Sequence, residues 1–127
     1  MRTEKTTCLS GKKEEFADLL TVTGTKRNVA RVLVFLACVE ETTSREIEHG
    51  TGLSQPEVSI AIRGMMKKGW ILIRESRIER TGRPVKFYKL AKPVTEVVES
   101  IGNEKVDEAN HRLRLIRKLQ ECVRCYS

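Results

Sequence analysis

Residues Thr43–Trp70 read TSREIEHGTGLSQPEVSIAIRGMMKKGW, and the interpretation of this stretch decides the fold. Thr43 and Glu46 stand three residues apart, and Ser54 and Glu57 repeat the arrangement. In each pair the hydroxyl is placed to accept from the third helical N–H, while the carboxylate reaches back to the N–H of the capping residue. Each pair therefore marks a helix start. Between them, Gly50-Thr51-Gly52-Leu53 supplies glycines that end the first helix in left-handed geometry and an apolar residue that pins the turn to a core. Two short helices joined by a tight turn make a helix-turn-helix, whose second helix is the candidate reader of a nucleic acid.

Projected at 100° per residue, the second helix places Val58, Ala61, Ile62 and Met65 on one face, which must be buried. Pro56, Ser59, Ile60, Arg63 and Lys67 lie on the opposite face, with Gln55 at the N-terminal end where such a helix meets base edges. The alternative is an ordinary amphipathic surface helix. Such a helix usually carries acidic residues on its outer face, and beyond Glu57 this one has none.

The distribution of charge points the same way. The 127 residues carry a formal net charge of +7, with 32% charged and 5% aromatic residues, a composition suited to a helix-rich protein. From Arg63 to Lys92 there are ten Lys or Arg and two Glu, a net of +8, against fourteen basic and fifteen acidic residues elsewhere. The excess positive charge is thus confined to the helix and the segment after it, as expected of a polyanion-binding surface. No run approaches the length of a membrane span, and the polar start of the chain lacks an apolar export core, so a cytoplasmic location is expected. Cys8, Cys38, Cys122 and Cys125 are too few and too scattered for a disulfide scaffold, which predicts a reduced chain with Cys38 as a small packed side chain.

Outside the central motif, residues 1–12 are polar and predicted to fray, and 14–22 form a short helix with Phe16, Leu19 and Leu20 at helical spacing. Thr25 is placed to cap the next helix, residues 28–39, which is apolar nearly all round and so belongs at the centre of the core. Lys67-Lys68-Gly69 ends the second helix of the motif with cations at its negative pole and a glycine stop. A strand then runs from Ile71 towards Arg80, turns at Thr81-Gly82-Arg83-Pro84, and returns over 85–90 with alternating apolar residues. Three helices followed by a basic β-hairpin give the winged helix-turn-helix order.

The segment TTSREIEHGTGLSQPEVSIAIRGMMKKGWI, followed by RTGRPVKFYKL, resembles the DNA-binding core of MarR-type and ArsR-type winged-helix transcriptional regulators. The likeness covers roughly residues 28–90. It rests on the Gly-Leu-Ser-Gln turn, the Val-Ser pair, the Lys-Gly-x-Ile exit and the Gly-Arg-Pro wing tip. The resemblance implies that Ser54, Gln55, Ser59 and Arg63 face the major groove and its phosphates, and that Arg83 enters the minor groove. Glutamine suits adenine, arginine suits guanine or phosphate, and a narrow A·T-rich minor groove attracts arginine. Arg74, Arg77, Arg80, Lys86 and Lys89 would then mainly meet phosphates, and Lys67, on the outer face of the second helix, belongs with the DNA-binding residues. The sequence departs from the pattern at Gly64 and at Ile60, where a polar or basic residue is common. Ile60 suits either a thymine methyl or a protein-facing surface.

The C-terminal third begins at Lys92-Pro93 with a helix in which Val94, Val97, Val98 and Ile101 share a face, and Gly102-Asn103 is expected to interrupt it. Beyond this, Val106, Ala109, Leu113, Ile116 and Val123 fall close to heptad spacing, with Gln120 in the same seam and Leu119 beside it. The expected partner of this stripe is the same element in a second subunit, the alternative being the chain's own domain. A two-fold dimer would match a palindromic double-stranded operator. Cys122 and Cys125 share a helical face as Cys-x-x-Cys, and two such pairs meeting in a dimer would make a four-thiolate zinc site or an oxidisable switch. Zinc sites normally take a second ligand pair from the same chain, however, and no metal is expected.

The expected fold class is mainly α with a small β-hairpin: an N-terminal arm and short helix over 1–24, a winged helix-turn-helix DNA-binding domain over 25–92, and a C-terminal dimerisation helix over 93–127. The expected function is a homodimeric, sequence-specific transcriptional regulator that is not an enzyme and carries no cofactor. His49 and His111 have no nucleophile or acid partner at motif spacing, and no phosphate loop is present. The alternative is a winged helix used as a protein-interaction or RNA-associated module without its own operator. The sequence specifies no effector, whether small-molecule or redox.

Overall fold

The structure, a computed structural model, describes residues 10–77, 82 and 84–126. Two units are distinguished, Met1–Val97 and Val98–Ser127. In the first, helices α1 (Ser10–Val22), α2 (Arg27–Ala37), α3 (Ser44–Thr51) and α4 (Gln55–Lys67) are combined with strands β1 (Thr42–Thr43), β2 (Ile71–Arg77) and β3 (Pro84–Leu90). Helix α5 (Val94–Tyr126) begins in the first unit and makes up most of the second.

The most apolar segment lies at the centre of the first unit, as its composition requires. Ala30, Val32, Leu33, Val34 and Leu36 of α2 are buried, and α2 packs against α1, α3 and α4. Ile47 of α3 and Val58, Ala61, Ile62 and Met65 of α4 close the same core, with Val97 of α5 also fully buried. Each fully buried Leu or Val contributes about 1.5–3 kcal/mol from removal of apolar surface from water. The helices therefore take their relative positions mainly from this core.

Local chemistry sets the ends of α3 and α4. Both capping boxes are formed: Thr43 Oγ1 accepts from Glu46 N at 3.3 Å and Ser54 Oγ from Glu57 N at 3.4 Å, while each glutamate accepts from the N–H of its cap. Gly52, at φ 76°, ends α3. Helix α4 ends where Trp70 N–H donates to Met65 O and Gly69 N–H to Met66 O, with Gly69 at φ 75°. This is the two-bond left-handed stop for which glycine is best suited. Gly50 has a different role from the one expected. It lies within α3, and a Cβ there would fall 2.7 Å from Phe35 Cδ1, so the missing side chain makes room for the Phe35 ring of α2.

Several expectations are corrected. Helix α1 starts at Ser10 rather than at residue 14. The cap of α2 is Lys26 and not Thr25, with no side-chain capping bond, and the helix ends at Ala37. Burial of its apolar face, rather than a cap, holds it in place. Gly102-Asn103 does not interrupt α5, which is continuous over 33 residues. An interior glycine costs only about 1 kcal/mol, which a helix of this length absorbs. Cys38, expected to be a reduced packed thiol, is buried but disulfide-bonded, while Cys122 and Cys125 are free and exposed. Cys8 lies outside the described residues. No helix among the described residues is long and apolar enough to cross a membrane.

The sheet has one more strand than the hairpin predicts. Its order is β1-β3-β2, all antiparallel, with Thr42 opposite Tyr88 and Thr43 opposite Phe87. Thr42 is fully buried and its hydroxyl donates to Glu46 Oε1 at 2.9 Å, which ties the added strand to the start of α3. At the base of the hairpin, Ala91 N–H donates to Trp70 O at 2.7 Å, and Trp70 is itself buried. The hairpin is thereby anchored to the helical core at its root.

Candidate nucleic-acid interface

Helix α4 presents a single exposed arc. Val58, Ala61, Ile62 and Met65 take up the buried side, leaving Gln55, Pro56, Glu57, Ser59, Ile60, Arg63, Gly64, Met66 and Lys67 exposed, with Glu57 at one edge of the arc. The arc combines hydrogen-bonding and cationic groups with two apolar side chains, Ile60 at 65% and Met66 at 47% exposure. The helical angle of Met66 lies close to that of Gln55. Gly64 is also exposed, with no atom within 4 Å of the position a Cβ would take.

The N-terminus of α4 is held on two sides. Ser54 is exposed, but its hydroxyl is already engaged by Glu57 N–H. Glu57 Oε1 accepts from Ser54 N–H at 2.9 Å, and the bonds to Ser54, with a smaller contribution from Asn28 of α2, hold its carboxyl below the usual glutamate range. Arg31 Nη1 of α2 donates to the Thr51 carbonyl at the end of α3 at 3.3 Å, and Leu53 N–H donates to Thr51 Oγ1 at 3.3 Å. Leu53 is half-buried in the turn. The angle at which α4 meets solvent is therefore fixed by contacts to α2 and by the turn.

The hairpin cations fall on two faces. Opposite pairs in an antiparallel ladder share a face, and successive residues alternate. Arg77 lies opposite Pro84 and Lys86 opposite Glu75, so Arg77, Lys86 and Glu75 share one face. Arg74 lies opposite Phe87 and Lys89 opposite Leu72, which puts Arg74 and Lys89 on the other. Arg74 is moreover engaged: Nε and Nη2 donate to the two carboxylate oxygens of Glu41 at 3.0 and 2.7 Å, and the guanidinium lies 4.5 Å from the Phe87 ring centroid. The expected phosphate-binding set is thus split, with Arg77 and Lys86 together and Arg74 held apart by Glu41. Arg80 and Arg83 lie outside the described residues. A separate open cleft of about 1010 Å³ between α1, α2 and α3 has Arg27, Arg31 and Arg45 among its lining residues, but also Glu14, Asp18 and Glu46. Its mixed charge does not extend the cationic surface.

In the second unit, the expected dimerisation residues all lie on exposed helix. Val106, Leu113, Ile116, Leu119 and Val123 are between 49% and 65% exposed, and Ala109 is exposed as well. Leu115 and Tyr126, also exposed, combine with Leu119 as a second apolar strip about a third of a turn away, which heptad counting along the first strip overlooks.

No protein-family model matches the chain. No curated protein matches it either. Among solved structures, TrmBL2, an archaeal chromatin protein whose structure shows a novel mode of DNA binding, superposes with a TM-score of 0.66 at 19% identity, over 86% of this chain and 39% of its own length. A possible transcriptional regulator from Methanosarcina mazei Go1 gives 0.60 at 14% identity, over 92% of this chain and 93% of that one. A further transcriptional regulator gives 0.52 at 16% identity, over 80% of this chain and 65% of that one. The chain thus spans less than two thirds of the first and third of these proteins. At such identities the likeness is one of fold: a winged helix-turn-helix with a C-terminal helix, mainly α with a small antiparallel sheet.

Proposed function

We propose that the protein is a homodimeric, sequence-specific double-stranded DNA-binding transcriptional regulator of the kind its MarR/ArsR-like sequence features suggest. The observation that carries this reading is the exposed arc of α4. Gln55, Ser59, Arg63 and Lys67 lie on one side of a helix whose start is fixed by a capping box and whose buried side packs on α2, and no acidic residue lies among them. A helix so presented suits the major groove, with its N-terminal residues at the base edges. Ser54 lies at its entry, Arg77 and Lys86 belong to the strands of the hairpin that flanks the groove, and Arg80 and Arg83 fall in sequence between those strands. The winged-helix likeness supports the reading, since one similar protein is described by its DNA binding, one as a transcriptional regulator and one as a possible transcriptional regulator.

In this reading residues 25–92 bind DNA and the C-terminal region joins two subunits through Val106, Ala109, Leu113, Ile116, Leu119 and Val123. The operator is then palindromic, with half-site centres one helical turn apart. The protein acts in the cytoplasm without a cofactor. A second reading is favoured by Ile60 and Met66, two exposed apolar side chains of α4 that suit contact with a protein partner.

Two α4 variants separate the readings. Gln55→Ala should cost about 1–3 kcal/mol on the preferred site only and leave the salt dependence unchanged, because no charge is lost. Arg63→Ala should weaken binding to all duplexes and reduce the salt slope by about one phosphate contact. Wild-type binding by both variants would transfer the surface to a protein partner.

A further inference from the structure

The ion pair on the hairpin has a geometry with functional meaning. An arginine fork that donates two parallel N–H bonds to two oxygens is the arrangement with which arginine recognises either a carboxylate or a phosphate. Glu41 occupies that fork on Arg74 at 2.7 and 3.0 Å, and the Phe87 ring lies beneath the guanidinium. Glu41 comes from the residue before β1, so its reach to β2 passes across β3, where Thr43 is opposite Phe87 and Phe87 opposite Arg74. Lys89, on the same face as Arg74, also draws on the Glu41 charge, and the carboxyl is held below the usual glutamate range, chiefly by its bond to Arg74. Both side chains are partly exposed, at 55% for Arg74 and 32% for Glu41. A phosphate brought to this face would need the same two donors, which the bidentate bond to Glu41 already occupies.

We propose that Glu41 is an internal phosphate surrogate. It holds Arg74 away from the DNA backbone and so sets how many sequence-independent contacts the hairpin makes. This rests on the DNA-binding reading above and adds to it a residue that does not itself touch DNA. Phosphate contacts supply affinity without sequence information, so withholding one lowers binding to any duplex and leaves the base contacts of α4 unaltered.

The test is a double-mutant cycle read by salt dependence on a random-sequence duplex, with the full chain as wild type, Glu41→Gln, Arg74→Gln and the double variant. Glutamine at 74 removes the charge and keeps a stem over Phe87. The expected result is that Arg74→Gln matches wild type, whereas Glu41→Gln steepens the salt slope by about 0.9, a further loss of about 3.5-fold in affinity between 50 and 200 mM salt. The double variant returns to the wild-type slope. The proposal is overturned if Glu41→Gln leaves the slope unchanged, if the steepening survives in the double variant, or if Arg74→Gln flattens the wild-type slope by about one contact. A pair that only braces the sheet would alter thermal stability without changing the slope, which also overturns it. Absence of salt-dependent binding by the wild type would reject the DNA reading itself, and this proposal with it.

Discussion

Replacing Gly50 with alanine tests how α3 is seated on α2, and therefore how the turn and α4 are aimed. Two effects oppose each other. Alanine in a helix interior is favoured over glycine by about 1 kcal/mol. The new Cβ, however, would lie 2.7 Å from Phe35 Cδ1 and 3.1 Å from Cζ, and closer still to Cε1. The ring must move, and it is half-buried on the helix at the centre of the core. Overpacking of this kind costs about 1–3 kcal/mol, so the net expectation is destabilisation of about 1 kcal/mol. Gly64 provides the control: it is helical and exposed, with nothing within 4 Å of its Cβ position, so Gly64→Ala should stabilise by about 1 kcal/mol. Urea unfolding with a common m-value measures both, and Phe35→Leu combined with Gly50→Ala should recover most of the loss. Equal stabilisation by the two alanines would refute the close approach of Phe35 as the reason for glycine at position 50.

Two further expectations concern the cap of α4 and the assembly. Ser54→Ala should cost about 1 kcal/mol in denaturant unfolding by removing the cap acceptor. Because the folded pKa of Glu57 is depressed below 4.5, its contribution is present above the ordinary glutamate range and is lost as pH falls through the depressed value. Glu57→Gln should therefore flatten the acid limb of the stability profile, and an unchanged limb would contradict the capping role. Leu113→Asp combined with Ile116→Asp should give monomers with weakened DNA binding by analytical ultracentrifugation, while a wild-type monomer at tens of micromolar would remove the dimer from the account.

The features legible in the sequence were those whose causes are local. Thr43–Glu46 and Ser54–Glu57 are three residues apart, so both capping boxes could be named before the structure, as could the Gly52 and Gly69 stops. The buried side of α4 followed from helical periodicity. Features made by distant residues were hidden. Strand β1 has only two residues, too few to show a period, and exists because β3 offers it a partner. The Glu41–Arg74 pair joins residues 33 apart, and only the strand register shows that Arg74 and Lys86 lie on different faces. Gly50 looked like a turn glycine because the Phe35 ring that requires it belongs to another helix.

The central claim, that the α4 arc reads DNA as part of a two-fold dimer, is tested most directly by selecting duplexes bound by the 127-residue chain from a random-sequence pool at physiological salt. The account predicts enrichment of an inverted repeat whose half-site centres are about 10–10.5 base pairs apart, with Gln55→Ala relaxing the preference at one position of each half-site. Recovery of unenriched sequence after repeated rounds, or no retention of duplex at all, would contradict it.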